Sequence, residues 1–148
     1  MSQQSILVTG GAGYIGSHVV QQLSLAGHRV VVLDNLGRGF RQAVPAEQLI
    51  VGDVGDSSLV SRLLAENAID TVMHFAAHTI VPESVADPLK YYGNNTCTTR
   101  SLLQACLQHG VRHFILSSTA AVMACPPRDM QKRSLRQHPS TPTAPRSS

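Results

Sequence analysis

Seven residues near the amino end, Gly10-Gly11-Ala12-Gly13-Tyr14-Ile15-Gly16, are of a kind that can cradle phosphate. They follow the apolar run Ile6-Leu7-Val8-Thr9 and open an apolar-periodic stretch from Tyr14 to Ala26. Strand, glycine turn and helix in that order bring free backbone N–H groups and the positive end of a helix dipole to one point, where an anion is stabilised. The spacing of Gly10, Gly13 and Gly16 is G-x-x-G-x-x-G. Gly10 lets the chain leave the strand sharply, Gly13 leaves the backbone open to a pyrophosphate, and Gly16 lets the helix pack closely on the strand. The second chemical group is a carboxylate. Arg29-Val30-Val31-Val32-Leu33-Asp34 reads as a buried strand, and Asp34 lies 18 residues beyond Gly16. That is close to the interval expected for the acid that holds the adenosine ribose hydroxyls of a dinucleotide. A carboxylate there repels a 2′-phosphate, so NAD is expected over NADP.

The elements that must position these groups alternate along the chain. Gln48 to Gly52 reads as a third, short strand, and Asp56 and Ser57 cap a helix running to about Glu66. Thr71 to Phe75 forms a fourth strand. Pro88 precedes a long helix over Leu89 to His109, stopped by Gly110, and Arg112 to Ser117 gives a fifth strand. Nearly all-apolar strands separated by helices predict an α/β fold, a doubly wound parallel sheet of the Rossmann type covered on both faces. Ligands of such sheets bind beyond the carboxyl ends of the strands, where Gly10, Asp34, Asp53, Phe75 and Ser117 fall. On the long helix, Leu102, Leu103, Cys106 and Leu107 are expected to form the core face, with Cys97 and Cys106 as small apolar residues.

The composition, 43% hydrophobic over 148 residues, suits one globular domain. No apolar run approaches the roughly 20 residues of a membrane helix, and the amino end lacks the basic and apolar regions of a secretory signal. Three cysteines without C-x-x-C spacing point to a reducing compartment, hence a cytoplasmic protein with no membrane partner. His74 and His78 straddle a strand end with no acidic third ligand close by, so no metal site is expected. Ser117-Ser118-Thr119 lack the G-x-S-x-G elbow of a nucleophile. Composition changes after Val122: residues 1–122 carry a net charge of −1, whereas residues 123–148 carry +4 and five of the eight prolines. This tail has no aromatic residue to stack on bases, so nucleic acid is not an expected partner. It reads as a basic, disordered extension.

Larger blocks carry a resemblance. Thr9 to His18, Leu33-Asp34-Asn35-Leu36, Gly52-Asp53-Val54, His74-Phe75-Ala76-Ala77, Glu83-Ser84-Val85 with Pro88, Tyr91 to Asn95, and Ser117 to Val122 resemble the UDP-glucose 4-epimerases, members of the extended short-chain dehydrogenases. The resemblance implies that Gly10, Gly13, Tyr14, Ile15 and Gly16 hold the NAD pyrophosphate. It implies that Asp34, Asn35, Leu36 and Gly37 line the adenosine ribose, and that Asp53 and Val54 flank adenine. Phe75, Ala76 and Ala77 would pass beside the second ribose, and Asn94 would stabilise the loop next to the cofactor. Thr119 would be the catalytic hydroxyl that hydrogen-bonds substrate. The implied chemistry is epimerisation of a UDP-sugar at C4: a tyrosinate takes the 4-hydroxyl proton, NAD takes hydride, and hydride returns to the other face of the 4-keto sugar. A homodimer is implied for the full-length family and not for this chain.

The chain departs from that family at its carboxyl side. Its only tyrosines are Tyr14, Tyr91 and Tyr92, and none has a lysine four residues on. The Tyr-x-x-x-Lys pair and the substrate domain are therefore read as absent: residues 1–122 are an incomplete NAD-binding domain. Residues 123–148 are read as a frame-shifted, non-native tail. The family has Val-Tyr-Gly where this chain has Val122-Met123-Ala124. A one-base shift across Ser140 to Ser148 permits Asn-Pro-Tyr-Gly-Thr-Ser-Lys-Leu. An inactive, truncated epimerase is the expected result. The alternatives are another extended short-chain epimerase or dehydratase of nucleotide sugars, or a non-catalytic NAD-binding module.

Overall fold

Alternation along the strands decides which way each apolar side chain faces. In β1 (Ser5–Thr9), Ile6 and Val8 join one buried cluster while Leu7 joins the other; in β2 (Arg29–Asp34), Val30 and Val32 go one way and Val31 and Leu33 the other. A strand that is apolar at every position has to be covered on both sides, which is what the sequence predicts. The computed structural model describes residues 3–118. Helix α1 (Tyr14–Leu25) covers one face through Val20. Helices α2 (Ser57–Glu66) and α5 (Thr98–Gln108) cover the other with Val60, Leu63, Leu64, Leu102, Ala105 and Cys106. With β3 (Leu49–Val51), β4 (Thr71–His74) and β5 (His113–Leu116), the five strands pair in parallel in the order β3-β2-β1-β4-β5. This is the doubly wound, Rossmann-type α/β fold. Among the described residues, β3 and β5 are the sheet edges, and no helix is long and apolar enough to cross a membrane.

Capping follows the sequence signals. Asp56 accepts the Leu59 N–H at 3.0 Å and starts α2. Gly110, at φ 68°, sits just past the end of α5.

The long helix over Leu89–His109 is not one regular helix. It consists of α4 (Pro88–Tyr91), a π-helical segment Tyr92–Cys97, and α5, and a separate short helix, α3 (Val81–Ala86), precedes it. The wider turn is held by hydroxyls: Thr98 Oγ1 donates to the Gly93 carbonyl at 3.3 Å and Thr99 Oγ1 to the Asn95 carbonyl at 2.7 Å. The core face of α5 is also narrower than expected. Leu102, Ala105 and Cys106 are buried, but Leu103 and Leu107 are 40% and 81% exposed. Both flank the apolar stripe, and a stripe's margin looks like its centre when read from spacing alone. Burial pushes the Cys106 thiol up to about 11, where it is inert packing; Cys97 is exposed. The tail over residues 123–148 and the hydroxyl of Thr119 lie outside the described residues.

Candidate functional site

Strand β1 has β2 on one side and β4 on the other, so the chain order reverses across it. The loops leaving the carboxyl ends of β1 and β4 therefore part, and a crevice opens between them. Gly10 and Gly13 line it from the first loop, and Phe75, Ala76 and Ala77 from the second. Backbone fit sets their spacing. Gly10 has φ 70°, and a methyl group on it would lie 2.5 Å from the Ala76 nitrogen. A methyl on Gly16 would overlap the Gly10 carbonyl oxygen, which is why α1 can begin directly over the turn. The Gly13 N-cap supplies no side-chain hydrogen bond, so the first-turn N–H groups of α1 are left for another acceptor.

Asp34 ties this turn to the loop after β2. It is 7% exposed; its Oδ2 accepts the Ala12 N–H at 2.9 Å and its Oδ1 accepts the Leu36 N–H at 2.8 Å. The Phe40 N–H closes the same loop by donating to the Ala12 carbonyl at 3.0 Å. Asp34 thus lies against the glycine turn and lines the crevice, with lone pairs remaining on both oxygens. Asn35, Gly37, Asp53 and Val54 extend the same wall. Asn35 donates to Asp53 Oδ2 at 3.2 Å and accepts the Gly37 N–H at 2.9 Å, while Asp53 Oδ1 accepts the Gly55 N–H at 2.7 Å.

Four residues of the expected set, Tyr14, Ile15, Gly16 and Leu36, stand apart from the crevice lining. The Tyr14 and Ile15 side chains are 84% and 57% exposed, and the Tyr14 ring meets His18 edge-on at 5.2 Å. What these two positions can offer the crevice is backbone. Leu36, at φ 57°, packs its side chain on the α1-side core. Asn94 lines the crevice and donates to Asn95 Oδ1 at 2.9 Å. The bonds that hold the loop after β4 belong to Asn95, which accepts the His78 N–H at 2.8 Å and donates to the His78 carbonyl at 2.9 Å. Arg38, His78, Glu83, Lys90 and Thr98 also line the crevice. Sequence spacing gave no cue to them, because they come from separate loops and helices that only the fold assembles.

At the end of β4 a buried histidine, His74, links three elements. Thr9 Oγ1 and His74 Nδ1 are 2.5 Å apart, and His74 Nε2 is 2.9 Å from Thr99 Oγ1. Thr99 spends its one hydroxyl proton on the Asn95 carbonyl, so His74 carries its proton on Nε2 and accepts from Thr9 at Nδ1. Burial holds the His74 pKa below its ordinary value of 6.5, favouring the neutral ring. The stabilisation is therefore complete above pH 6.5 and is lost as pH falls from there through the lower folded-state value. The melting temperature of the chain is expected to drop from pH 7 to pH 5 more steeply than that of His74→Gln, measured by circular dichroism. Equal slopes would exclude His74 as the titrating group.

A parallel sheet with a glycine turn, a helix start and a buried acid meeting at its reversal point defines the Rossmann class of nucleotide-binding domains. Comparison with known proteins narrows this. Residues 6–147 match the NAD dependent epimerase/dehydratase family, and the chain belongs to it. Over 122 residues it is 50% identical to a UDP-glucose 4-epimerase of Azospirillum brasilense, covering 82% of this chain and 35% of that protein. The fold is similar to that of UDP-glucose 4-epimerase from Brucella ovis, crystallised with NAD, at a TM-score of 0.79 and 42% identity over 84% of this chain and 38% of that one. It is also similar to the Stenotrophomonas maltophila UDP-glucose 4-epimerase with bound NAD and formylated UDP-arabinopyranose, at a TM-score of 0.77 and 38% identity over 81% and 38% of the two chains. This chain thus spans well under half the length of these relatives.

Proposed function

We propose that the crevice binds NAD and that the chain is the nucleotide-binding part of a UDP-sugar 4-epimerase. The observation that carries this reading is the placement of Asp34 against the glycine turn, its carboxylate facing the crevice from under a loop that it also holds closed. The residues fit the dinucleotide. Gly10 and Gly13 leave room for a diphosphate and the start of α1 offers it N–H donors. Asp34 takes ribose hydroxyls, and Asn35 and Asp53 present polar groups to the adenosine end. Phe75, Ala76 and Ala77 form the small-residue wall for the second ribose. Bound there, NAD would accept hydride from sugar C4 and return it. Thr119 is proposed to hold the substrate hydroxyl.

These 148 residues contain no Tyr-x-x-x-Lys. The chain on its own is therefore proposed to bind NAD without interconverting UDP-glucose and UDP-galactose, and residues 123–148 are proposed to be a frame-shifted tail. Sequencing the DNA beyond codon 122 tests the tail: the neighbouring frame should encode Tyr-x-x-x-Lys. For the cofactor, calorimetry should show NAD binding, with NADP at least roughly tenfold weaker because Asp34 opposes the added phosphate. A folded chain that binds NADP as well as NAD, or neither, defeats the reading. The relative crystallised with a formylated UDP-arabinopyranose favours a second reading, in which the sugar is other than glucose or galactose. Product analysis over several UDP-sugars, with the frame restored, separates the two.

A further inference from the structure

Among the described residues, two basic side chains line the crevice through arginine or lysine, and both are paired with one carboxylate. Arg38 Nη2 is 3.6 Å from Glu83 Oε2, and Lys90 Nζ is 2.5 Å from Glu83 Oε1. The two pairs are unequal. Glu83 and Lys90 sit on the consecutive helices α3 and α4, and the Tyr91 hydroxyl reinforces them: it donates to Glu83 Oε2 at 2.9 Å while accepting the Ile80 N–H at 3.1 Å. The hydrogen bond to Glu83 raises the Lys90 pKa, and the same bond, followed by that from Tyr91, holds the Glu83 carboxyl below its usual range.

Arg38 comes from the opposite lip, the loop after β2. Its side chain is 57% exposed, and it meets Glu83 only at the outer limit of an ion pair. The residues that follow it lie on the glycine turn. A methyl on Gly39 would be 2.9 Å from the Ala12 Cβ, and the Phe40 N–H donates to the Ala12 carbonyl at 3.0 Å. Arg38 therefore leaves the chain beside the glycine turn, and it lines the same crevice as Gly10, Gly13 and Glu83. An exposed ion pair contributes little. An arginine–phosphate contact is charge-assisted and commonly bidentate.

Resting on the dinucleotide reading above, we propose that Arg38 is a phosphate-contacting residue of the crevice and that Glu83 is the internal anion it leaves to make that contact. Lys90 and Tyr91 stay with Glu83, so its carboxylate is not stranded when Arg38 departs.

Calorimetric titration of the 148-residue chain with NAD and, separately, with inorganic pyrophosphate, each at low and at physiological ionic strength, tests this. Arg38→Gln should weaken both ligands on the order of fivefold at low salt and flatten the salt dependence. Arg38→Lys should keep the salt dependence while losing part of the affinity. Glu83→Gln keeps an acceptor for Tyr91 and removes the competing charge, so both ligands should bind about twofold tighter or better. Unchanged affinity and salt dependence in Arg38→Gln would overturn the assignment of Arg38. Weaker binding by Glu83→Gln at an unchanged melting temperature would overturn that of Glu83. Should the wild-type chain bind pyrophosphate through Arg38 and not bind NAD, the dinucleotide reading falls and the Arg38 assignment stands. Should it bind NAD with Arg38→Gln indifferent, the reverse holds. If neither ligand binds, both fall.

Discussion

Gly10→Ala should lower the melting temperature of this chain by roughly 10 °C and abolish measurable NAD binding. Two costs add at this position. A side chain at φ 70° is strained by about 1–2 kcal/mol. The methyl would also lie 2.5 Å from the Ala76 nitrogen and 2.7 Å from the Phe75 carbonyl carbon, which are backbone atoms with no rotamer to change. Overpacking of that kind costs about 1–3 kcal/mol, so the total reaches about 2–5 kcal/mol. The strands would have to part to relieve it, and the crevice lies at the point where they would part. Thermal unfolding followed by circular dichroism, with calorimetry on the folded fraction, measures both effects. A variant within about 2 °C of wild type would mean that the two loops can separate freely.

The second large effect is expected at Asp34. Asp34→Ala removes the acceptor of two backbone N–H groups, those of Ala12 and Leu36, and each orphaned buried group costs about 1–3 kcal/mol. It also removes the proposed ribose ligand. A hydrogen bond to a charged group contributes about 1.5–3 kcal/mol, so loss of even one should lower NAD affinity by roughly 10-fold to 150-fold. Asp34→Asn should rescue little. Its amide has one oxygen for two N–H groups and turns its own N–H₂ toward the other. If Asp34→Asn keeps wild-type affinity and stability, the carboxylate is not the hinge between turn and ribose that its geometry indicates.

The part of this site that could be read from sequence is the part built by contiguous residues. Gly10, Gly13 and Gly16 are set by one turn, and Asp34 and Asp53 end their strands or follow them directly, so apolar runs and their punctuation locate them. The five strands were legible for the same reason. Arg38, Glu83 and Lys90 were not: each is an ordinary charged residue on an exposed segment, and only the meeting of the β2 loop with α3 and α4 makes them neighbours. The break at Tyr92–Cys97 was hidden as well. Nothing in Tyr-Gly-Asn-Asn-Thr-Cys forbids a regular helix by propensity strongly enough to mark one wider turn. The contacts that accompany it are the Thr98 and Thr99 hydroxyl bonds and the clasp between Asn95 and the His78 backbone, 17 residues away. The Tyr14 and Ile15 positions show the converse limit. Spacing placed them at the helix start correctly but said nothing about where their side chains point.

The wide turn has a consequence for how this chain can vary over time. Each residue of a regular helix advances the winding by about 100°, so deleting one residue between Tyr92 and Cys97 would restore an even coil at the expense of its phase. Lys90 and Tyr91 would be wound away from Glu83, or else Leu102 and Cys106 away from the interior. Point changes in this stretch alter one contact each, whereas a single codon gained or lost would derail the whole arm. Its length should therefore tolerate change less readily than its letters.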